Sequence, residues 1–239
     1  MQMELWEDGP LFRYDDGAFK PSLDSVLLIS FAKMALTNKK RRGIDIGCGS
    51  GIISIILALD IPELYMDGLE IQGKAVDLAV ENVLLSNLPD RIRIIQGDLR
   101  QHRELFSSGC YDFSISNPPY YTPFSGKKAS KHSIAEARSE ESCTLDELCL
   151  ASKYLTRFGG SFFVVYKPQR LSELFSALVK HAFEPKRIRF VHYNSTSAPS
   201  LVLVESRRGG NPGLYVEAPL LLKNNDGTVT EEISLLYKR

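Results

Sequence analysis

Cysteine is scarce in this chain of 239 residues, and the four present form no pattern. Cys48, Cys110, Cys143 and Cys149 include no CxxC pair and no metal-ligand spacing, which argues against a zinc module or a disulfide scaffold. The four histidines, His102, His132, His181 and His192, likewise lack ligand spacing with Asp, Glu or Cys, so no metal is expected. Long apolar runs are missing too. Residues 26–36 and 52–61 are the longest candidates; both are short and broken by polar residues, and they read as buried helices rather than membrane spans. The start of the chain is acidic and lacks the basic-then-apolar order of an export signal. Together with unpaired thiols, this points to a reducing, cytoplasmic setting. Nor is there an excess of either charge: 29 Lys and Arg face 29 Asp and Glu, so no global basic field announces a nucleic-acid binder. The positive charge is instead clustered, at residues 39–42, at Lys127, Lys128 and Lys131, at Lys186, Arg187 and Arg189, and at Arg207 and Arg208. No internal repeat or low-complexity linker is visible.

What is present is alternation. From about residue 41, β-like runs at 44–46, 65–70, 91–96, 111–116 and 161–167 alternate with helical stretches. Those helices are expected at 52–59, around Val76, Ala79, Val80 and Val83, at 145–158, and at 168–181 with Leu171, Leu174, Phe175, Leu178 and Val179 on one face. Two last strands, 187–193 and 201–205, are joined only by the short turn-rich stretch 194–200 and should pair antiparallel. Alternation implies an α/β fold with a mostly parallel sheet and helices on both faces. The expected arrangement is a single domain. Residues 1–40 form an N-terminal helical extension with Ser22 as a helix cap, 41–206 the core, and 207–239 a tail packed on it.

Three motifs fall at strand ends. The first is Asp45-Ile46-Gly47-Cys48-Gly49-Ser50-Gly51, which follows a strand and opens a helix. Glycines let the backbone turn sharply and approach a ligand closely, and the helix start offers N–H groups to an anion. The dinucleotide fingerprint needs a third glycine where this chain has Ile52, so the spacing favours an S-adenosylmethionine loop over an NAD loop. There Asp45 would orient the loop and the methionine ammonium, with Gly47, Cys48, Gly49 and Gly51 shaping the turn. The second motif is a pair of acids. Glu70 closes the next strand and can accept from both ribose hydroxyls, with Ile71 beside it; Asp98 and the Leu99 N–H stand where an adenine could be held.

The third motif, Asn117-Pro118-Pro119-Tyr120, ends the fourth strand. An exocyclic purine amine is a poor nucleophile, because its lone pair is delocalised into the ring. Two acceptors, the Asn117 side-chain oxygen and the Pro118 carbonyl, can hold both amine hydrogens so that the lone pair localises toward an electrophilic methyl carbon. Prolines donate no N–H that would compete for these acceptors. Tyr120 offers a flat face for a base. The loop carrying Lys127, Lys128 and Lys131 follows directly, and is expected to grip a phosphate backbone.

On these residues the chain resembles the class I S-adenosylmethionine-dependent methyltransferases, with a seven-stranded mixed sheet whose last strand is antiparallel. Within them it resembles the compact bacterial tRNA1(Val) adenine-37 N6-methyltransferases. The resemblance extends to Phe19-Lys20-Pro21-Ser22-Leu23-Asp24-Ser25-Val26-Leu27-Leu28, Ala137-Arg138-Ser139-Glu140 and Arg208-Gly209-Gly210-Asn211-Pro212-Gly213. It implies a tRNA substrate, S-adenosylmethionine as cofactor, and no metal, membrane or obligate protein partner. Two other readings stay open: methylation of a protein glutamine or small-molecule amine, and a non-catalytic cofactor- or RNA-binding module.

Overall fold

The computed structural model describes residues 1–6, 9–14, 22–36, 41–120 and 143–236. The Lys127–Lys131 loop and the Ala137–Glu140 segment lie outside them. Seven strands form the body of a mixed sheet: β3 (Arg41–Ile46), β4 (Leu64–Glu70), β5 (Ile92–Gln96), β6 (Tyr111–Ser116), β7 (Thr156–Tyr166), β8 (Phe183–His192) and β9 (Pro199–Arg208). Their spatial order is β8-β9-β7-β6-β3-β4-β5. Strands β3 to β7 run parallel, and β9 runs antiparallel to both β7 and β8. This is the class I methyltransferase architecture expected above.

The chain builds outward from β3 through β4 to β5, then crosses to the other side of β3 and continues with β6. Such a reversal leaves a crevice at the carboxyl ends of β3 and β6. The Ser116 hydroxyl at the end of β6 donates to the Ile46 carbonyl at the end of β3 (2.8 Å), pinning the two lips.

Period-two alternation divides the core. Phe163 and Val165 face a cluster built with α1 (Leu23–Lys33) and α2 (Ile52–Asp60), whereas Phe162 and Val164 face one built with α5 (Leu145–Leu155) and α6 (Leu171–Lys180). The remaining helices are α3 (Gly73–Leu85) and the short α4 (His102–Leu105). The α1 helix starts where its sequence says it should, with the Ser22 hydroxyl accepting from the Ser25 N–H (3.2 Å).

The structure departs from the sequence reading in three places. The helix expected over 145–158 stops at Leu155, because Thr156 pairs with Tyr111 and begins β7. A bulge follows: Gly159 takes φ +73°, and a Cβ on Gly160 would sit 2.5 Å from the Asp112 carbonyl. Residues before α1 also form a hairpin, β1 (Gln2–Glu4) with β2 (Leu11–Arg13), whose Phe12 is fully buried. Asn82 of α3 ties this hairpin to the Gly-rich turn, accepting from Arg13 N–H (2.6 Å) and donating to the Arg13 and Ser50 carbonyls (3.0 and 3.1 Å).

Finally, the tail adds two short strands, β10 (Tyr215–Val216) and β11 (Leu220–Leu221), parallel to β8, and a helix α7 (Glu231–Leu236). Arg187 anchors it, donating to Glu205, Glu217 and the Phe31 carbonyl, each at 2.8 Å. The Lys186–Arg189 basic run is therefore partly structural rather than a free patch.

Candidate active site

At the carboxyl ends of the parallel strands lies a crevice of about 440 Å³. Of the residues singled out from sequence, Gly47, Cys48, Gly49, Glu70, Ile71, Asp98, Leu99, Asn117, Pro118, Pro119 and Tyr120 all line it. Four strand ends thus deliver the three motifs to one place, as the topology requires. Asp45 and Gly51 are not among its walls, and the three lysines lie outside the described residues.

The Gly-rich turn is closed on itself and on β4. Gly47 and Cys48 N–H groups donate to the Leu69 carbonyl (2.8 and 3.1 Å), and Gly51 N–H to the Cys48 carbonyl (2.8 Å). Gly47 adopts φ +75° with nothing within 4 Å of where a Cβ would stand. That empty position is backbone exposed to whatever the crevice holds. Gly51 caps α2 without a side chain of its own, and Ile52 and Ile53, the first two residues of that helix, line the crevice.

Asp45 stands behind the turn, fully buried. Its Oδ2 accepts from the Ser54 hydroxyl (3.2 Å), and its Oδ1 has no hydrogen-bond partner. Burial pushes its pKa up to about 7; the Ser54 hydrogen bond opposes the rise and the Glu70 charge adds to it. Cys48 is driven in the same direction, by burial first and then by Asp45 and Glu70, so its thiol is an inert wall rather than a nucleophile. Glu70 accepts from Gly49 N–H (3.0 Å) through one oxygen and from Gln72 N–H (2.9 Å) through the other. It therefore splices the turn to the start of α3. Ile71 stays half exposed beside it and gives the crevice an apolar face.

Asp98 is less free than its sequence position suggests. It accepts from the Arg100 backbone N–H and from the Arg100 guanidinium through both oxygens. Arg100 holds its pKa below the usual carboxylate range. Any ligand amine reaching Asp98 would share it with Arg100.

The Asn117–Tyr120 turn is locked to α1. Asn117 Nδ2 donates to the hydroxyls of Ser25 (3.0 Å) and Ser22 (3.3 Å). The Tyr120 hydroxyl lies 2.6 Å from Asn117 Oδ1 and 2.9 Å from Asp24 Oδ2. Burial, followed by the Asp24 carboxylate, raises the Tyr120 pKa far above its ordinary value. Its ring is held independently of the hydroxyl: Tyr166 packs edge-on at 5.9 Å, Lys167 Nζ sits 4.4 Å from its centroid, and Arg170 donates to the Tyr120 carbonyl (3.1 Å). Sequence reasoning assigned no role to Asp24 or Ser25, or to Lys167 beside Tyr120. The first two sit inside the Phe19–Leu28 segment that resembled a family, but nothing local marks them as partners of residues over ninety positions away.

A second cavity of about 570 Å³ opens at the amino ends of the strands, far from these motifs. Its Arg42 and Arg93 share the buried Asp67 carboxylate (2.9 and 2.7 Å), so these two cations are already paired. Among the described residues no group of three or more His, Cys, Asp or Glu could hold a metal ion, and no helix is long and apolar enough to cross a membrane.

Residues 22–186 match the profile of the methyltransferase small domain family. Over 166 residues the chain is 35% identical to a tRNA1(Val) (adenine(37)-N6)-methyltransferase of Yersinia pestis (strain Pestoides F); the alignment covers 69% of this chain and 64% of that relative. Among solved structures, an Agrobacterium tumefaciens protein described as a predicted O-methyltransferase superposes with a TM-score of 0.73 at 17% identity, covering 90% of this chain and 96% of its own. The geranyl diphosphate C-methyltransferase of Streptomyces coelicolor A3(2), solved with S-adenosyl-L-homocysteine, superposes with a TM-score of 0.57 at 13% identity, covering 78% and 81%.

Proposed function

The chain belongs to the methyltransferase small domain family, and from that premise we propose that it uses S-adenosylmethionine to methylate the N6 amine of an adenine in tRNA, at the position corresponding to adenine 37 of tRNA1(Val). The observation that carries this reading is the placement of Asn117-Pro118-Pro119-Tyr120 in the same crevice as the Gly-rich turn and Glu70. A plain cofactor-binding module has no use for amine acceptors beside its cofactor.

The residues present fit the cofactor. The open Cβ position at Gly47 and the uncapped start of α2 suit a carboxylate lying against backbone, and the partnerless Oδ1 of the buried Asp45 suits a nearby cation. Asp45, Gly47, Cys48, Gly49 and Gly51 would shape the methionine end. Glu70 and Ile71 would take the ribose and one adenine face, with Asp98 and Leu99 at the adenine edge. When bound, S-adenosylmethionine supplies an electrophilic methyl carbon on a sulfonium.

The chain's own part is to present the nucleophile. Asn117 Oδ1 and the Pro118 carbonyl accept the two amine hydrogens and turn the nitrogen lone pair out of the ring plane. Pro119 stiffens the turn, and Tyr120 gives the extruded base a face to stack on. The amine keeps its protons until the new N–C bond forms; one then passes to solvent, so no dedicated base is needed. Lys127, Lys128 and Lys131, outside the described residues, would hold phosphates of the RNA.

The test is direct. Purified protein, labelled S-adenosylmethionine and a tRNA1(Val) transcript should yield N6-methyladenosine on nucleoside mass spectrometry, and a transcript with guanine at that position should yield none. Label transferred to protein or free amines but not RNA would overturn the reading.

A further inference from the structure

Asn117 cannot receive a target amine freely in the arrangement described above. Its Nδ2 is held by the Ser22 and Ser25 hydroxyls, which fixes which way the amide faces. Its Oδ1, the atom the amine needs, already has the Tyr120 hydroxyl at 2.6 Å. Bonds accepted by one carbonyl oxygen weaken one another. Yet Tyr120 carries a single hydroxyl proton. It has two oxygens in reach, Asn117 Oδ1 and, at 2.9 Å, Asp24 Oδ2. A carboxylate is the stronger acceptor of the two.

We propose that Asp24, in the first turn of α1, is a positioning residue that draws the Tyr120 hydroxyl away from Asn117 and so frees Oδ1 for the substrate amine. This rests on the amine-methylation reading and deepens it. The helix α1 then has two jobs at the site: Ser22 and Ser25 orient the Asn117 amide, and Asp24 decides whether its oxygen is available. Turning the hydroxyl proton from Asn117 toward Asp24 leaves the phenolic oxygen and the ring where they are, because Tyr166, Lys167 and Arg170 hold the ring and its backbone by contacts that do not involve the hydroxyl.

The competition has a signature that a structural role does not. Asp24→Ala leaves the hydroxyl on Asn117, and should slow single-turnover methylation of a tRNA1(Val) anticodon stem-loop roughly tenfold, the worth of about one hydrogen bond that must be displaced. Tyr120→Phe removes the competing hydroxyl and keeps the ring. In that background Asp24→Ala should have no further effect, so the double variant reacts faster than Asp24→Ala alone.

Binding without turnover gives a second readout. With S-adenosylhomocysteine present, wild type should prefer a stem-loop carrying adenosine at the target over one carrying purine riboside, which lacks the amine. Asp24→Ala should lose that preference, and the double variant should regain it. Additive losses in the double variant would overturn the proposal and make Asp24 a mere helix stabiliser. A Tyr120→Phe variant as slow as Asp24→Ala would overturn it too, since the hydroxyl would then be an anchor rather than a competitor. Wild type that neither methylates RNA nor distinguishes the two stem-loops removes the amine reading itself, and the proposal with it.

Discussion

Asp45 offers the sharpest test of how the site trades stability for chemistry. The carboxyl is fully buried, one oxygen has only Ser54 as partner, and the other has none. Its pKa rises from the ordinary aspartate value to about 7. Between those two pH values the native state keeps a proton that the unfolded chain has released. The native state is therefore favoured most at the acid end of the window. It loses ground as pH rises through it, and the loss is complete just above pH 7. Its full size is about 4 kcal/mol. Asp45→Asn keeps the shape and removes the charge. Its stability relative to wild type should therefore climb by about that amount between roughly pH 4 and pH 8, whatever constant offset the amide introduces. For a chain of this size that corresponds to a relative gain in Tm of roughly 8–16 °C. Thermal or denaturant unfolding of both proteins across this range, without cofactor, is the assay. Parallel pH profiles would refute the reasoning, because they would mean that Asp45 titrates alike in the folded and unfolded chain.

Three further outcomes follow from the same geometry. Glu70→Ala removes the acceptor of Gly49 and Gln72 as well as any ribose contact; calorimetry should find S-adenosylmethionine binding weaker by about 1–3 kcal/mol. Unchanged affinity would take Glu70 out of the site. Asn117→Ala should abolish methyl transfer while cofactor affinity stays within roughly threefold of wild type, because its proposed partner is the target amine. Turnover near the wild-type rate would sink the amine-clamp mechanism. Arg187→Met leaves the largely buried Glu205 and Glu217 without their shared cation; unfolding should show a loss of about 3–5 kcal/mol. A loss below about 1 kcal/mol would mean that the pairing is no stronger than a surface ion pair.

Much of this protein could be read before folding it. The glycines at 47, 49 and 51, the acids at 70 and 98, and Asn117–Tyr120 each follow a run of β-forming residues. The α/β alternation then obliges those strand ends to share a crevice, so local pattern was enough to name lining residues from all four strand ends. The same logic gave the antiparallel return of β9, since residues 194–200 are too few for a crossover helix. What local pattern could not reveal is contact between distant segments. Nothing around Thr156 says that its pairing with Tyr111 would cut a helix short. Arg187 looks like part of a basic surface run until Glu205, Glu217 and the Phe31 carbonyl close on it from three other elements. Asp45 gives no sign in its neighbours that the closed turn and α2 seal it from solvent and raise its pKa. Asp24 reads as an ordinary first-turn acid, favourable there because of the helix dipole. Only the packing of α1 across the end of β6 brings it to the Tyr120 hydroxyl, because hydrogen bonds between such remote positions are set by tertiary placement and leave no periodic trace in the chain.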